Sequence, residues 1–89
     1  MSNKQLKDLV DKNGQLNEAG ITFVRSQLSS IIKEAREETD LSCYAVSVLT
    51  GITVPTAMKI ETGESNFTID NLIKYLSGIN CSIQIIKNE

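Results

Sequence analysis

The chain has 89 residues, of which 40% are hydrophobic and 22% are charged, and its formal net charge is -2; these values predict one domain without the strong positive charge of a nucleic-acid coat. No apolar run reaches the roughly 20 residues of a membrane-spanning helix, and the first residues lack a hydrophobic signal region, so we expect a cytoplasmic protein. The sequence contains no histidine and two cysteines, which argues against catalytic Ser-His or Cys-His pairs, metal sites and a disulfide framework. We therefore expect no catalytic residues, no metal and no cofactor.

The first predicted element is a short helix, in which Leu6, Leu9 and Val10 recur at helical spacing before an Asn-Gly stop. A long helix follows, and Asn17 is its predicted N-cap. Its apolar residues recur at steps of three and four and therefore share one face. These residues are Ile21, Val24, Leu28, Ile31, Ile32 and Ala35.

Two short helices joined by a tight turn are predicted at the centre of the chain. Ser42 caps the first helix, which runs to about Leu49, and Gly51 stops it because glycine tolerates a positive φ. Thr53 caps the second helix, and Pro55 lies in its first turn, where a missing N–H costs little. Short helices joined by a turn of about three to four residues that contains glycine form a helix-turn-helix.

The last predicted helix spans roughly Thr68 to Ser77, has Thr68 as its N-cap, and directs Leu72, Ile73 and Leu76 inward. Gly78 ends it. Beyond this glycine, over residues 80–87, the apolar period changes from about 3.6 to 2, which predicts a β-strand.

A lone strand leaves its backbone groups unpaired, so we expect this one to pair with the same strand of a second copy. The predicted dimer interface consists of Cys81, Ile83, Ile85 and Ile86. The alternative is that the tail folds back over its own helices as an irregular apolar strap.

Together these patterns predict an all-α fold, a compact bundle of four to five helices with a central helix-turn-helix, and a short C-terminal β-strand that pairs across a dimer. Three parts of the chain are expected. Residues 1–15 form the N-terminal helix and turn, residues 16–79 form the helix-turn-helix domain, and residues 80–89 form the strand tail.

Five short sequence motifs between residues 31 and 79 resemble those of the Cro/C1-type (XRE-like) helix-turn-helix domain of bacterial and phage repressors. They are IKEAR at 32–36, LS at 41–42, LTGITVPT at 49–56, KIETG at 59–63, and NFT at 66–68 followed by DNL at 70–72. The resemblance implies DNA binding. In this geometry the start of the second short helix enters the major groove, while the preceding helix braces on phosphates.

The predicted reading helix runs from Thr53 to Glu61, with Ile60 directed into the core. Threonine hydroxyls can bond phosphates or base edges, small apolar side chains can touch a thymine methyl, and lysine can reach guanine or phosphate. The residues expected on its exposed face are Thr53, Val54, Thr56, Ala57 and Lys59. By the resemblance, phosphate-contacting positions are occupied by Ser42, Cys43, Tyr44, Ser65 and Asn66.

The favoured hypothesis is a dimeric transcriptional repressor that binds double-stranded DNA at an inverted-repeat operator. Because the domain is followed by a strand, the chain also resembles the HipB-like antitoxin of HipA-type kinase modules, which would repress its operon and bind a toxin protein. A third hypothesis is a protein-interaction adaptor that does not read DNA. It is motivated by Cys43, Val54 and Glu64, which replace polar or basic residues common in the family.

Cys43 has two interpretations of its own. It lies in the first turn of a helix, where the helix dipole favours a thiolate, and this placement suits a redox sensor. Alternatively, it is a small residue that fills a polar position.

Overall fold

The structure, a computed structural model, describes residues 10, 12 and 14–88. Four helices follow one another in these residues: α1 (Glu18–Glu37), α2 (Cys43–Thr50), α3 (Val54–Thr62) and α4 (Ile69–Gly78). This all-α bundle confirms the predicted fold class. The short helix predicted from Ser2 to Val10 falls outside the described residues except for Val10. None of the four described helices combines the length and the hydrophobicity that a membrane-spanning helix needs.

All four helices begin at the predicted N-cap. In each case the side chain of the capping residue accepts a hydrogen bond from the backbone N–H three residues later, which satisfies a donor that has no partner within the helix. The capping residues are Asn17, Ser42, Thr53 and Thr68, with oxygen-nitrogen distances of 2.8, 3.0, 3.4 and 3.1 Å. Glycines in the left-handed region end two of the helices, Gly51 after α2 and Gly63 after α3.

The hydrophobic core lies where the four helices meet, and Tyr75 of α4 is fully buried within it. Ile60 is also fully buried, as predicted. Burial of one such aliphatic side chain contributes about 1.5–3 kcal/mol, so these contacts set the orientation of α3. The buried cluster comprises Ile32, Val46, Ile52, Ala57, Ile60, Leu72, Tyr75, Leu76 and Ile79.

Much of the apolar face of α1 remains outside this core. Ile21, Val24, Leu28 and Ile31 share one face, as predicted, but each is between 39% and 64% exposed. Helix α1 instead packs against the core with the face that carries Ser29 and Ile32. This face is rotated by about a quarter turn from the one that carries Ile21, Val24, Leu28 and Ile31. Below, Ile21, Val24, Leu28 and Ile31 are called the α1 seam.

One prediction about the C-terminal part is wrong, and the strand predicted to pair across a dimer is not seen in the single chain. Ile73 is exposed, because Leu72, Tyr75 and Leu76 occupy the face of α4 that meets the core. The predicted strand is not formed, since residues 81–88 have no regular secondary structure.

The tail begins as the alternative strap and then leaves the bundle. The Cys81 N–H donates a hydrogen bond to the carbonyl of Leu76 at 2.8 Å, and the Cys81 side chain packs against the core. Ile83 lines a groove beside α4. Ile85 and Ile86, by contrast, are 91% and 76% exposed. Pairing of this tail with a second copy stays a prediction.

Candidate nucleic-acid interface

Helix α3 is held by its neighbours along one face. Ala57 and Ile60 of this helix have no exposed surface, and Ile52 in the preceding turn is buried as well. The turn that contains Gly51 changes the direction of the chain between α2 and α3, and this glycine adopts the positive φ of 75° that the turn needs. The opposite face of α3 is therefore presented to solvent, as the helix-turn-helix requires.

The residues predicted to read DNA divide into two groups. Thr53 and Lys59 are exposed, and Val54 and Thr56 are half-buried. Ala57 was expected on the exposed face, and this is wrong, because its side chain is fully buried in the core. It lies three residues before Ile60, a spacing that puts both residues on the same face of a helix.

Met58 is an exposed residue of α3 that the sequence interpretation missed. Its side chain is 55% exposed, next to the exposed Lys59. The signal was present in the helical period: once Ile60 defines the buried face, Ala57 falls on it and Met58 falls outside it. The apolar group that α3 offers to solvent is therefore a flexible thioether side chain.

The two threonines at the start of α3 bind each other. The Thr53 hydroxyl donates to the Thr56 hydroxyl at 2.9 Å and accepts the Thr56 backbone N–H at 3.4 Å. The Thr53 side chain thus caps the helix. The exposed hydroxyl pair lies at the N-terminus of α3, where the helix dipole favours a negative group such as phosphate.

The N-terminus of α2 presents a second set of donors. Ser42 uses its side chain to cap Ala45, and Tyr44 is 64% exposed. The first backbone N–H groups of a helix have no partner within it, so they suit an anion. Cys43 is half-buried, with its sulfur 3.9 Å from the hydroxyl of Tyr75. Of these predicted phosphate contacts, Ser42 and Tyr44 are therefore exposed, whereas Cys43 is partly covered.

The loop after α3 is tied to α1 by a single arginine. Arg25 donates from Nε to the carbonyl of Gly63 at 2.9 Å and from Nη1 to Oδ1 of Asn66 at 2.8 Å. The Asn66 amide oxygen is thus engaged. Ser65, its neighbour, is half-buried. The arginine orients the predicted phosphate-contacting loop while part of its own hydrogen-bonding capacity is used within the protein.

A polar network missed by the sequence interpretation fixes α3 against three other parts of the fold. The Arg36 guanidinium binds both carboxylate oxygens of Glu61, at 2.7 and 3.0 Å, and also donates to the carbonyl of Leu41 at 2.9 Å. The Tyr75 hydroxyl donates to the same Glu61 carboxylate. The hydrogen bonds to Glu61 raise the pKa of Arg36.

This network lies at the edge of the core. The side chains of Arg36 and Glu61 are only 14% and 7% exposed. Each follows a buried residue by four positions, Ile32 and Ala57 respectively, which was the available sequence signal. Removing either partner would leave the other charge buried and unpaired.

The redox interpretation of Cys43 is opposed by its surroundings. Burial raises the pKa of the Cys43 thiol, and the negative charge of Glu61 raises it further, while Arg36 partly offsets these effects. A raised pKa reduces the thiolate, the form that reacts with oxidants. The environment therefore favours a neutral thiol, despite the position of this residue at the helix N-terminus.

The bundle with its exposed α3 is that of a helix-turn-helix domain. Comparison with protein families agrees: the family described as helix-turn-helix matches residues 32–86, and the chain belongs to this Cro/C1-type (XRE-like) family. The family is one of DNA-binding regulatory domains and is not an enzyme family. Among curated proteins and among solved structures, no match was found.

Proposed function

We propose that the protein is a dimeric transcriptional repressor whose α3 enters the major groove of an inverted-repeat operator. Family membership supports a DNA-binding regulator of this type. The observation that carries the proposal is the exposed face of α3, which the core and the Arg36–Glu61 ion pair hold in one orientation. Two such helices separated by about 34 Å would meet successive major grooves on one side of the DNA.

On α3, Lys59 would reach a guanine or a phosphate, and the hydroxyls of Thr53 and Thr56 would bond phosphates or base edges. Met58 takes the role that Ala57 cannot fill, contact with a thymine methyl, because its side chain is exposed. Val54, half-buried in the first turn, would touch the edge of the same groove.

Phosphates on either side of this groove would be held by two other segments. At the N-terminus of α2 the backbone and side chains of Ser42, Cys43 and Tyr44 would face one strand. In the loop after α3, Ser65 and Asn66 would face the other strand. The Arg25 hydrogen bond to Asn66 supports this assignment, because it restrains the loop before DNA arrives.

The proposed affinity is modest and only moderately dependent on salt. Lys59 is the only basic residue of α3, and the Arg36 guanidinium is bound to Glu61. Glu64 is exposed beside the residues that are proposed to contact phosphate, and its negative charge would repel the DNA phosphates. Because each neutralised phosphate contributes about 0.9 to the salt slope, few cations mean a shallow slope.

The dimer would form through the tails of two copies. Ile85 and Ile86 are largely exposed in the single chain, a placement that costs free energy unless a partner covers them. Pairing two tails as strands would bury these side chains together with Ile83 and part of Cys81, and it would satisfy the backbone groups of both tails.

The dimer is testable by light scattering of the full chain. We expect a dimer mass for the unchanged protein and a monomer mass for the variant Ile85→Asp with Ile86→Asp. The variant Ser82→Asp with Asn88→Asp changes the net charge of the exposed tail by the same −2 but keeps the isoleucines, and it should remain a dimer. Equal masses for all three proteins would refute the tail-mediated dimer.

The DNA proposal is tested by fluorescence anisotropy with DNA from upstream of the gene and with a scrambled duplex of the same composition. We expect tighter binding to the upstream DNA and weakening as salt rises. Lys59→Ala should reduce the salt slope by about 0.9, the contribution of one phosphate contact. The matched variant Lys74→Ala, on α4, should leave the slope unchanged. The absence of binding, or affinity that is independent of salt, would overturn the proposal.

A second candidate function is an antitoxin that represses its operon and binds a toxin protein. Val48 and Leu49 on α2 favour it, because both are about two-thirds exposed where this family usually carries polar residues. A neighbouring gene for a kinase-like or nuclease-like toxin, and a stable complex with its product, would support this candidate. We expect Val48→Ser with Leu49→Ser to break the complex but to leave DNA binding unchanged.

Substitutions on α3 distinguish the adaptor hypothesis from both of these candidate functions. If Thr53→Ala, Thr56→Ala and Lys59→Ala together leave the biological function intact while a protein partner still co-purifies, the domain acts without reading DNA. If these substitutions abolish function but not folding, DNA reading is required.

A further inference from the structure

The N-terminal half of α1 carries an apolar surface that nothing in the described residues covers. Three residues of the α1 seam, Ile21, Val24 and Leu28, line a groove of about 330 Å³ with Leu16 and Phe67. The family match begins only at residue 32, so this groove lies outside it except at Phe67. Exposed aliphatic side chains at steps of three and four are the pattern by which a helix accepts a second amphipathic segment.

The structure also shows where the preceding chain enters. Val10 and Leu16 form an antiparallel bridge, so the chain reverses over the residues between them. In an antiparallel pair, the residues before the first partner run beside the residues after the second. The bridge therefore places Val10, the residue that follows the segment 1–9, beside Leu16, which itself lines the groove.

Length and pattern fit the same occupant. Residues 1–9 lie outside the described part, and their sequence places Leu6 and Leu9 at helical spacing, followed by Val10. As a helix, nine residues span about 13.5 Å, and the distance along α1 from Ile21 to Leu28 is about 10.5 Å. The segment as a whole is thus comparable in length with the apolar part of the groove, and as a helix it would carry Leu6 and Leu9 on one side.

We propose that residues 1–9 of the same chain dock as a short helix on the groove formed by Leu16, Ile21, Val24, Leu28 and Phe67. Leu6 and Leu9 insert between the α1 seam and Phe67. No residue of α3 lines this groove, but Arg25 and Asn66 do, so the docked segment would lie beside the loop that is proposed to contact phosphate. A second copy or another protein in the groove are the competing occupants.

A spin label on the full chain tests the proposal. A nitroxide is attached after Lys4→Cys, on the side of the segment opposite the leucines, in a chain that carries Cys43→Ala and Cys81→Ala. We expect strong broadening of the amide signals of Val24 and Leu28. The same signals should stay sharp when ¹⁵N-labelled protein without the nitroxide is mixed with unlabelled protein that carries it.

Matched variants separate docking from general loss of structure. Leu6→Asp with Leu9→Asp should abolish the broadening, and so should Val24→Asp from the other side of the contact. Asp8→Asn, on the polar side of the segment, and Ser30→Asp, on the exposed opposite side of α1, should preserve it. Helical circular dichroism and a cooperative melt check that each variant folds, with a drop of about 5 °C expected for the leucine pair.

Every outcome decides the proposal. Broadening within one molecule, and its loss in the three apolar substitutions, support docking in the same chain. Broadening in the mixed sample means that the segment reaches the groove of a second copy, and it overturns the proposal. Sharp Val24 and Leu28 signals in both samples show that the segment does not occupy the groove at all.

Discussion

Substitution of Gly63 by alanine tests how closely α3 is fitted against α1. Gly63 ends α3 with a φ of 69°. A Cβ atom at this position would lie 2.9 Å from the Ser29 hydroxyl, 3.0 Å from the Ser26 Cα and 3.2 Å from the Arg25 carbonyl oxygen. Two of these three atoms belong to the backbone of α1 and cannot move aside without moving the helix.

The expected cost has two parts. Placing an alanine in the left-handed region costs about 1–2 kcal/mol, reduced by about 0.4–1 kcal/mol because alanine has less freedom than glycine in the unfolded chain. Overpacking against a fixed neighbour adds about 1–3 kcal/mol. Gly63→Ala should therefore lower the free energy of unfolding by about 2–4 kcal/mol, a large share of the roughly 5–15 kcal/mol of a small domain.

Gly51→Ala is the matched control. Gly51 has nearly the same φ, 75°, but a Cβ atom added to it would meet no neighbouring atom of the described residues within 4 Å. We therefore expect this control to lose only the conformational part, about 1 kcal/mol. The difference between the two variants isolates the packing of α3 on α1.

Urea unfolding of both variants, followed by circular dichroism, measures these costs. Adding Ser29→Ala to Gly63→Ala should restore part of the loss, because it removes the nearest atom. The buried Ser29 hydroxyl has no hydrogen-bond partner among the described residues, so Ser29→Ala alone should not destabilise the protein. Equal losses for Gly63→Ala and Gly51→Ala would refute the close fit.

Three further predictions concern charges and the thiol. Glu61→Leu should lower the free energy of unfolding in urea by about 3–5 kcal/mol, because it leaves the mostly buried charge of Arg36 without its partner. A similar loss for Glu37→Leu, an exposed control, would contradict this. Because burial raises the pKa of the Cys43 thiol above its usual 9.0, alkylation of this thiol by iodoacetamide at pH 8 should be slower than that of a cysteine peptide. The stabilisation that comes from the neutral thiol should be complete at pH values below the pKa of the unfolded chain. It should be lost as the pH rises through the higher pKa of the folded protein. An equal or faster rate would show that the thiolate is favoured after all. Glu64→Lys should tighten DNA binding and steepen its salt dependence, as anisotropy can measure; unchanged binding would place this residue away from phosphate.

Local signals in the sequence were sufficient for the order and starts of the four helices. A cap depends on residues within three positions, such as Ser42 and Ala45, so the chain carries the whole interaction in one short segment. The turn glycines are equally local. The resemblance to the family rests on short motifs of the same kind, which combine capping, turn and core positions at a set spacing.

The candidate site was only partly predictable, and the errors have one cause. Ala57 was assigned to the wrong side of α3 and the exposed Met58 was overlooked, although the helix itself was predicted. The direction in which a short helix faces is set by its neighbours, and one step of about 100° exchanges a buried residue for an exposed one. The partner of Glu61 was hidden for a related reason, because Arg36 lies 25 residues away in the sequence.

The sequence by itself determined where each helix starts, where α2 and α3 stop, and that the chain is a helix-turn-helix. Only the tertiary structure decided which apolar residues are buried, that the α1 seam and Ile85 remain exposed, and that Arg36 holds Glu61. The physical reason is the range of the interactions. Caps and turns are made between residues a few positions apart, whereas burial and ion pairing depend on which distant surfaces the folded chain brings together.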